Sequence, residues 1–287
     1  MVWLARVPST LAAVSTSLAT HELSTVGALP VLRWPALTAT GVVDAVVTTR
    51  RGGVSTGPYE SLNLGLHVGD DPAAVIENRR RAAAAVQLGL EQLVFCKQSH
   101  GRAVAHVGTA ERGRGNLGDD DAILDTDALV TTDPDVGLVV MVADCVPLVL
   151  VDPVASVLAC VHAGWRGTTA RVTEAAVSRM VELGAEPARL VVGIGPAIPA
   201  ERYQVGEEVA DAARAGLGPL ADAALRPDGS GRWLFDVTAA NVAVLTAVGV
   251  EPVNIHVADV GSDSADFFSD RAVRPCGRFA AIARLVP

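Results

Sequence analysis

A thiol and an imidazole stand at the ends of neighbouring apolar runs in this 287-residue chain. The run from Val139 ends in Ala143-Asp144-Cys145-Val146-Pro147, and a second ends in Val161-His162-Ala163-Gly164-Trp165-Arg166-Gly167. Both are rich in Val and Leu and read as buried strands. A strand that carries a reactive side chain to a turn is a rigid mount for a site. His100, in Gln98-Ser99-His100-Gly101, stands in the same kind of place, at a strand end before a glycine. Two imidazoles and a thiolate suit zinc, and three protein ligands leave a fourth position for water or substrate. The same residues support a metal-free chemistry. Cys145 can act as a nucleophile activated by His100 or His162 and oriented by Asp144 or Asp127, which would make a thiol hydrolase. A third reading is a binding module with a structural metal. Cysteine also packs as a small hydrophobe, and the ligand spacings match no local zinc motif. Metal content separates the first two readings, and loss of folding on metal removal marks the third.

The elements that must position these residues follow from pattern. Gly41–Thr49 reads as a strand leading into the loop Arg50-Arg51-Gly52-Gly53, whose arginines and backbone can meet phosphate or simply be solvated. Asn63 and His67 lie in a polar–apolar alternation from Ser61 to Asp70. Asp71-Pro72 opens a helix that Gly89 can end, with Arg79, Arg80 and Arg81 read as its solvated face. Further strands are expected at Gln92–Lys97, Ala103–Gly108, Asp127–Thr132, Leu190–Ile194, Val253–Val257 and Phe279–Leu285. Helices are expected from Thr168 or Thr169 to Leu183, from Glu207 to Ala215, and from Asp236 to about Gly249. Asp119, Asp120 and Asp121 read as a solvated charge run, since the calcium-loop pattern and its terminal Glu are missing. Strands and helices mix without strict alternation, so the chain reads as one α/β domain with more than one sheet.

Composition bounds the rest. Half the residues are apolar and the formal net charge is −9, which argues against nucleic acid or an anionic membrane as the main partner. The four cysteines form no Cys-x-x-Cys pair, and a reduced intracellular compartment is the simplest reading. No apolar run is long enough to span a membrane. Residues 1–40 read as a poorly ordered extension before a domain at 41–287. Ser9, Thr10, Ser15, Thr16 and Ser17 interrupt what would be the apolar centre of a signal peptide.

Taken together, several motifs resemble the laccase-domain or YfiH-type family, once called multicopper polyphenol oxidases. They are Thr49-Arg50-Arg51-Gly52-Gly53-Val54-Ser55, Ser61 to Asp71, Gln98-Ser99-His100-Gly101, Asp127-Ala128-Leu129-Val130-Thr131, Ala143-Asp144-Cys145-Val146-Pro147, His162 to Gly167, Ile194-Gly195-Pro196-Ala197-Ile198 and Asp266-Phe267-Phe268-Ser269. They run in family order from about Val42 to the C-terminus. The resemblance implies a four-layer α/β/β/α sandwich with mixed sheets, a cytoplasmic enzyme, and zinc on His100, Cys145 and His162. It also implies a purine nucleoside phosphorylase acting on adenosine, inosine, guanosine and methylthioadenosine, with adenosine deaminase activity. Its partners would be a small nucleoside and phosphate; the oligomeric state stays open.

For deamination, Asp144 is the first choice of proton-carrying carboxylate and Asp127 the second. For phosphorolysis, Arg50 and Arg166 are the phosphate candidates, and Asn63 and His67 those for ribose or base. Two other family roles serve as alternatives: copper-dependent phenol oxidation, and hydrolysis of a cell-wall precursor (a uridine-diphosphate muramoyl-serine) carrying the wrong amino acid. Six histidines are few for a four-copper oxidase. The chain departs from the family at Ser99, often Val, and at Gln204, often Glu. Val260-Gly261 and Asp270-Arg271-Ala272 stand where many relatives have a Cys-Thr pair and a run of arginines.

Overall fold

A computed structural model describes residues 20–287. Two six-stranded mixed sheets lie face to face. In spatial order the first holds Glu22–Val26, Leu29–Arg33, Val43–Thr48, Phe279–Leu285, Gly137–Val142 and Leu93–Phe95. The second holds Ile255–Val257, Val191–Ile194, Val146–Asp152, Val157–Ala163, Ala128–Thr131 and Val104–His106. A small sheet of Gln204–Gly206, Arg232–Phe235 and Leu225–Pro227 lies outside this pair.

The two-residue period of the strands sorts their side chains into layers. Leu138, Val140 and Val142 face the second sheet, whereas Val139 and Met141 face outward beneath the helix Pro72–Ala84. Val149 and Val151 join the core between the sheets, and Leu148 and Leu150 pack toward the helices Val172–Glu182 and Val237–Ala247. Strands buried on both faces read as continuous apolar runs. The layers are helix, sheet, sheet, helices, as the resemblance implied.

The expected extension at residues 1–40 is corrected in its second half. Glu22–Val26 and Leu29–Arg33 form an antiparallel hairpin on the edge of the first sheet, and Pro35–Ala39 is a short helix. Leu32, Trp34 and Leu37 are fully buried there. Residues 22–39 therefore belong to the folded domain expected at 41–287; what was expected of residues 1–19 lies outside the described residues. Trp34 fastens this hairpin across the sandwich. Its Nε1–H donates to the Ile194 carbonyl at 3.3 Å, and its ring covers Gly193, where an added Cβ would meet Trp34 Cδ2 at 2.5 Å. Gly193→Val is expected to overpack this contact and cost about 1–3 kcal/mol or more. A lowered urea midpoint with an unchanged slope is the expected reading.

Two further expectations are revised. Arg79 is buried, not solvated. Its guanidinium donates to the carbonyls of Leu64, Gly115 and Asn116 and lies 4.1 Å over the Phe95 ring. Helical rotation turns Arg79 inward while Arg80 and Arg81 pair with Glu77 on the outside. The helix expected from Thr168 is two helices, Trp165–Thr169 and Val172–Glu182, broken at Arg171, which takes a left-handed conformation with φ of 62°.

Candidate metal centre

The link Ala143-Asp144-Cys145 is the crossover from one sheet to the other. It leaves the strand Gly137–Val142 of the first sheet and enters Val146–Asp152 of the second. Cys145 thus opens a strand as well as following one. The strands Val146–Asp152 and Val157–Ala163 are antiparallel, with Pro147 opposite His162 and Val146 opposite Ala163. That register places the thiol beside the imidazole. His162 is almost wholly buried and lies on the face of its strand shared by Leu158 and Cys160.

His100 arrives from the first sheet on the loop after Leu93–Phe95. Gln98 fixes this loop like an extra ladder rung: its amide donates to the Met141 carbonyl at 2.7 Å and accepts from the Met141 N–H at 2.8 Å. His100 has a positive φ of 61°, a conformation that favours Gly and Asn and is strained for a ring-bearing residue. Asp127 holds it there. The carboxylate accepts the backbone N–H groups of His100 at 2.9 Å and Gly101 at 2.7 Å, and the Ser99 hydroxyl at 3.2 Å. The same carboxylate meets His162 Nδ1 at 2.8 Å, and the Asp127 carbonyl accepts the His162 N–H at 2.7 Å. One buried carboxylate therefore orients both histidines.

His100, Cys145 and His162 each offer one ligand atom, and these atoms lie within 4.8 Å of one another. With Nδ1 of His162 taken by Asp127, Nε2 is the atom left to bind. A carboxylate behind a ligating imidazole is the usual outer support of a metal site. Electrostatics favour the thiolate. Burial pushes the Cys145 thiol up, but the imidazoles of His162 and His100 outweigh it and bring the thiol below its ordinary range. Cys96 and Cys160 are buried away from such partners, and desolvation drives them up. Desolvation would lower His162, yet Cys145 and Asp127 raise it. The donor set and its support fit a bound metal ion.

Gly164 completes the cradle. A Cβ there would lie 2.8 Å from Cys145 Sγ and 2.9 Å from His100 Cδ2. Gly164→Ala is expected to spread the ligands and weaken metal affinity by about tenfold or more. A chelator competition titration reads this, with the melting temperature of the metal-free protein little changed.

The three ligands open into a cleft of about 650 Å³. His67, Asp144 and Arg166 line it as well, so the structure gathers most of the sequence candidates. Three candidates are elsewhere. Arg50 does not line the cleft; its Nε donates to the Glu60 carbonyl at 2.9 Å and its guanidinium sits 4.6 Å over the Phe268 ring. Asn63 is fully buried and braces loops, bonding to Gly65, donating to the Asp70 carboxylate at 2.9 Å and accepting the Arg278 N–H at 2.8 Å. Asp127 is not a cleft residue either, and its contacts make it the orienting group.

Asp144 does border the cleft. One of its oxygens accepts the Ser262 hydroxyl and the other the Arg271 N–H, both at 2.7 Å. Sequence reasoning missed Lys97, Tyr203, Arg274 and Arg278, which also line the cleft, and gave Arg271 no role. Three of these arginines sit in one irregular segment between Asp270 and Arg278, where no periodicity points at a site.

The sequence matches the family model described as multi-copper polyphenol oxidoreductase laccase over residues 44–286. A purine nucleoside phosphorylase from Deinococcus radiodurans is 41% identical over 244 residues, covering 85% of this chain and 87% of the relative. Purine nucleoside phosphorylase YlmD of Geobacillus stearothermophilus is 38% identical over 237 residues, 80% of this chain and 85% of the relative. The crystal structure of that organism's YlmD matches with a TM-score of 0.86 and 35% identity, over 92% of this chain and 99% of the other. That of Bacillus licheniformis hypothetical protein YfiH matches with a TM-score of 0.86 and 32% identity, over 89% and 96%. On the match over residues 44–286 and these relatives, the chain belongs to the multi-copper polyphenol oxidoreductase laccase family that includes the YfiH-type proteins.

Proposed function

We propose that the protein is a zinc-dependent purine nucleoside phosphorylase, with adenosine deamination as a second activity of the same centre. The observation that carries the reading is an open His-Cys-His donor set facing a cleft that carries lysine and arginine at its walls. Relatives named purine nucleoside phosphorylase at 38–41% identity support it. Zinc fits the donors better than copper: thiolate and imidazole suit it, and a set of three protein ligands would leave a fourth position open. Among the described residues this is the one cluster able to hold a metal, enough for a single ion and not for several coppers. When bound, zinc supplies Lewis acidity and lowers the pKa of water toward neutrality.

The chain's own residues do the rest. Phosphate must be held against the anomeric carbon, and the cleft's cations provide the charge in a chain that is otherwise acidic. Trp165, whose ring carries Arg166 at 4.3 Å, lines the cleft as aromatic surface for a purine. His67 lines the outer wall; burial and then the Arg278 charge lower its pKa, so it meets the base as a neutral imidazole with one donor and one acceptor. For deamination Asp144 keeps first place as proton carrier, because it borders the cleft with one donor on each oxygen. Asp127 is closed in by donors on both oxygens.

Adenosine, inosine, guanosine and methylthioadenosine, each with and without inorganic phosphate, form the test panel. Phosphate-dependent release of the free base, seen by chromatography, is the expected outcome. No base release from any member, with turnover of an aminoacylated cell-wall precursor instead, would overturn the reading. No helix among the described residues is long and apolar enough to cross a membrane.

A further inference from the structure

The segment that carries Arg271 is joined to the metal centre at one residue. Asp144 precedes the ligand Cys145 and has a positive φ of 92°. Its Oδ2 accepts the Arg271 backbone N–H at 2.7 Å and its Oδ1 the Ser262 hydroxyl at 2.7 Å, while its carbonyl accepts the Ile198 N–H at 2.9 Å. Arg271 then reaches over Tyr203, with its guanidinium carbon 5.0 Å from the ring centroid. Its Nη1 donates to the carbonyls of Arg202 and Gln204 at 3.3 Å each. Arg166 stacks on Trp165 at 4.3 Å. Neither arginine has a carboxylate partner among the described residues, unlike Arg274 and Arg278, which both meet Asp270. Asp144, Cys145, Arg166, Tyr203 and Arg271 all line the same cleft.

We propose that Arg166 and Arg271 form the oxyanion subsite of the cleft, and that Asp144 is the positioning residue that ties Arg271 to the metal-ligand strand. The proposal rests on the phosphorolysis reading for its ligand, inorganic phosphate. Two guanidiniums without acidic partners are suited to a tetrahedral oxyanion, which they meet with charge-assisted, fork-like hydrogen bonds. The tether explains why a short hydrogen-bonding side chain belongs at 144: groups on two separate elements converge on it. It also separates holding from proton transfer. An asparagine at 144 tolerates the positive φ, accepts the Arg271 N–H through its oxygen and donates to Ser262, but carries no proton. A glycine adopts that φ freely and holds nothing.

The test compares Asp144→Asn, Asp144→Gly, Arg166→Met and Arg271→Met in the zinc-loaded protein, with zinc content measured for each. Phosphate KM is expected to rise about tenfold or more in Arg166→Met, Arg271→Met and Asp144→Gly. The nucleoside KM stays within about twofold, and Asp144→Asn keeps a near wild-type phosphate KM. Trypsin gives a readout free of turnover. Pro275 shields the Arg274 bond, so the Arg271–Ala272 bond is the one to follow by mass spectrometry. Its cleavage is expected to quicken in Asp144→Gly but not in Asp144→Asn, and inorganic phosphate is expected to slow it in the wild type but not in Arg166→Met.

If no nucleoside is phosphorolysed yet phosphate still protects the bond and Asp144→Gly exposes it, the subsite stands and the phosphorolysis reading falls. If Arg271→Met leaves the phosphate KM unchanged, or Asp144→Gly leaves cleavage unchanged, or Asp144→Asn is as damaging as Asp144→Gly, the proposal is wrong. Arg271→Met sits on an exposed segment and keeps the test decisive should the glycine variant fail to fold.

Discussion

Cys145→Ala is expected to strip the metal and reduce kcat/KM by about a thousandfold or more. The size follows from what the site loses. A bound metal contributes several kcal/mol of transition-state stabilisation, and each 1.36 kcal/mol is a factor of ten. Two imidazoles remain, one of them on an exposed loop, and that is too few for a site of this kind. The fold should survive, because Cys145 lies in a crossover link and the neighbouring strand is held by the full ladder from Val146 to Asp152. Elemental analysis and thermal melting of the variant check both halves. Retained zinc with unchanged turnover would return Cys145 to a packing role. A Cys145→Ala variant that folds but is inactive, beside a wild type that is active without zinc, would favour the thiol nucleophile.

Asp127→Asn is expected to act almost as strongly, without touching a ligand. Its two oxygens accept from donors on both sides: His100 N–H and His162 Nδ1 at one, Gly101 N–H and the Ser99 hydroxyl at the other. Asparagine turns one of these acceptors into an NH2 group, so in either flip a donor faces a donor. Each buried group left unpaired costs about 1–3 kcal/mol. Loss of the carboxylate behind a ligating histidine weakens metal binding by about 10–100-fold. Both histidines depend on this residue, so metal affinity should fall toward the upper end of that range. Competition with a chelating dye measures it. Melting of the metal-free protein should fall too, since the 99–101 loop loses its anchor. Affinity within about twofold of wild type would mean that the histidines are oriented by something else.

The cluster of His100, Cys145 and His162 was legible because its chemistry is local, although the residues alone left metal binding and a thiol nucleophile both open. A histidine or cysteine at the end of an apolar run is conspicuous whatever the tertiary structure. The strand register that brings Cys145 beside His162 follows from two antiparallel runs, but the arrival of His100 from the other sheet does not follow from pattern. The four-layer architecture came from the family resemblance, and the structure agrees with it. Side-chain direction was the part that could not be read. Asp127 appeared as a second-choice proton carrier, yet its carboxylate turns inward to the histidines. Arg79 sits in a run of three arginines that looks solvated as a string, and only the rotation of its helix against the sheet separates it from Arg80 and Arg81.

The substrate side was the least legible. Arg50 and Asn63 lie in motif stretches and were natural guesses, but their hydrogen bonds are spent within neighbouring loops, on backbone groups and, for Asn63, on the Asp70 carboxylate. The cleft's other cations come from Lys97 and from the irregular segment between Asp270 and Arg278, a stretch with no period to detect. A cluster of basic residues just before the last strand was the only available signal. The N-terminal boundary failed for a related reason. An edge hairpin of two five-residue strands rich in Leu, Val, Ser and Thr looks like linker until Trp34 is seen seated on Gly193 of the opposite sheet.

The most direct measurement is the initial rate of adenine release from adenosine by protein stripped of metal and reloaded with zinc, at varied inorganic phosphate. The predicted result is a rate that needs both, rising with zinc to one equivalent per chain and saturating in phosphate, with ribose 1-phosphate formed in step with adenine. A rate unaffected by removing zinc, or adenine released equally without phosphate, would contradict the account.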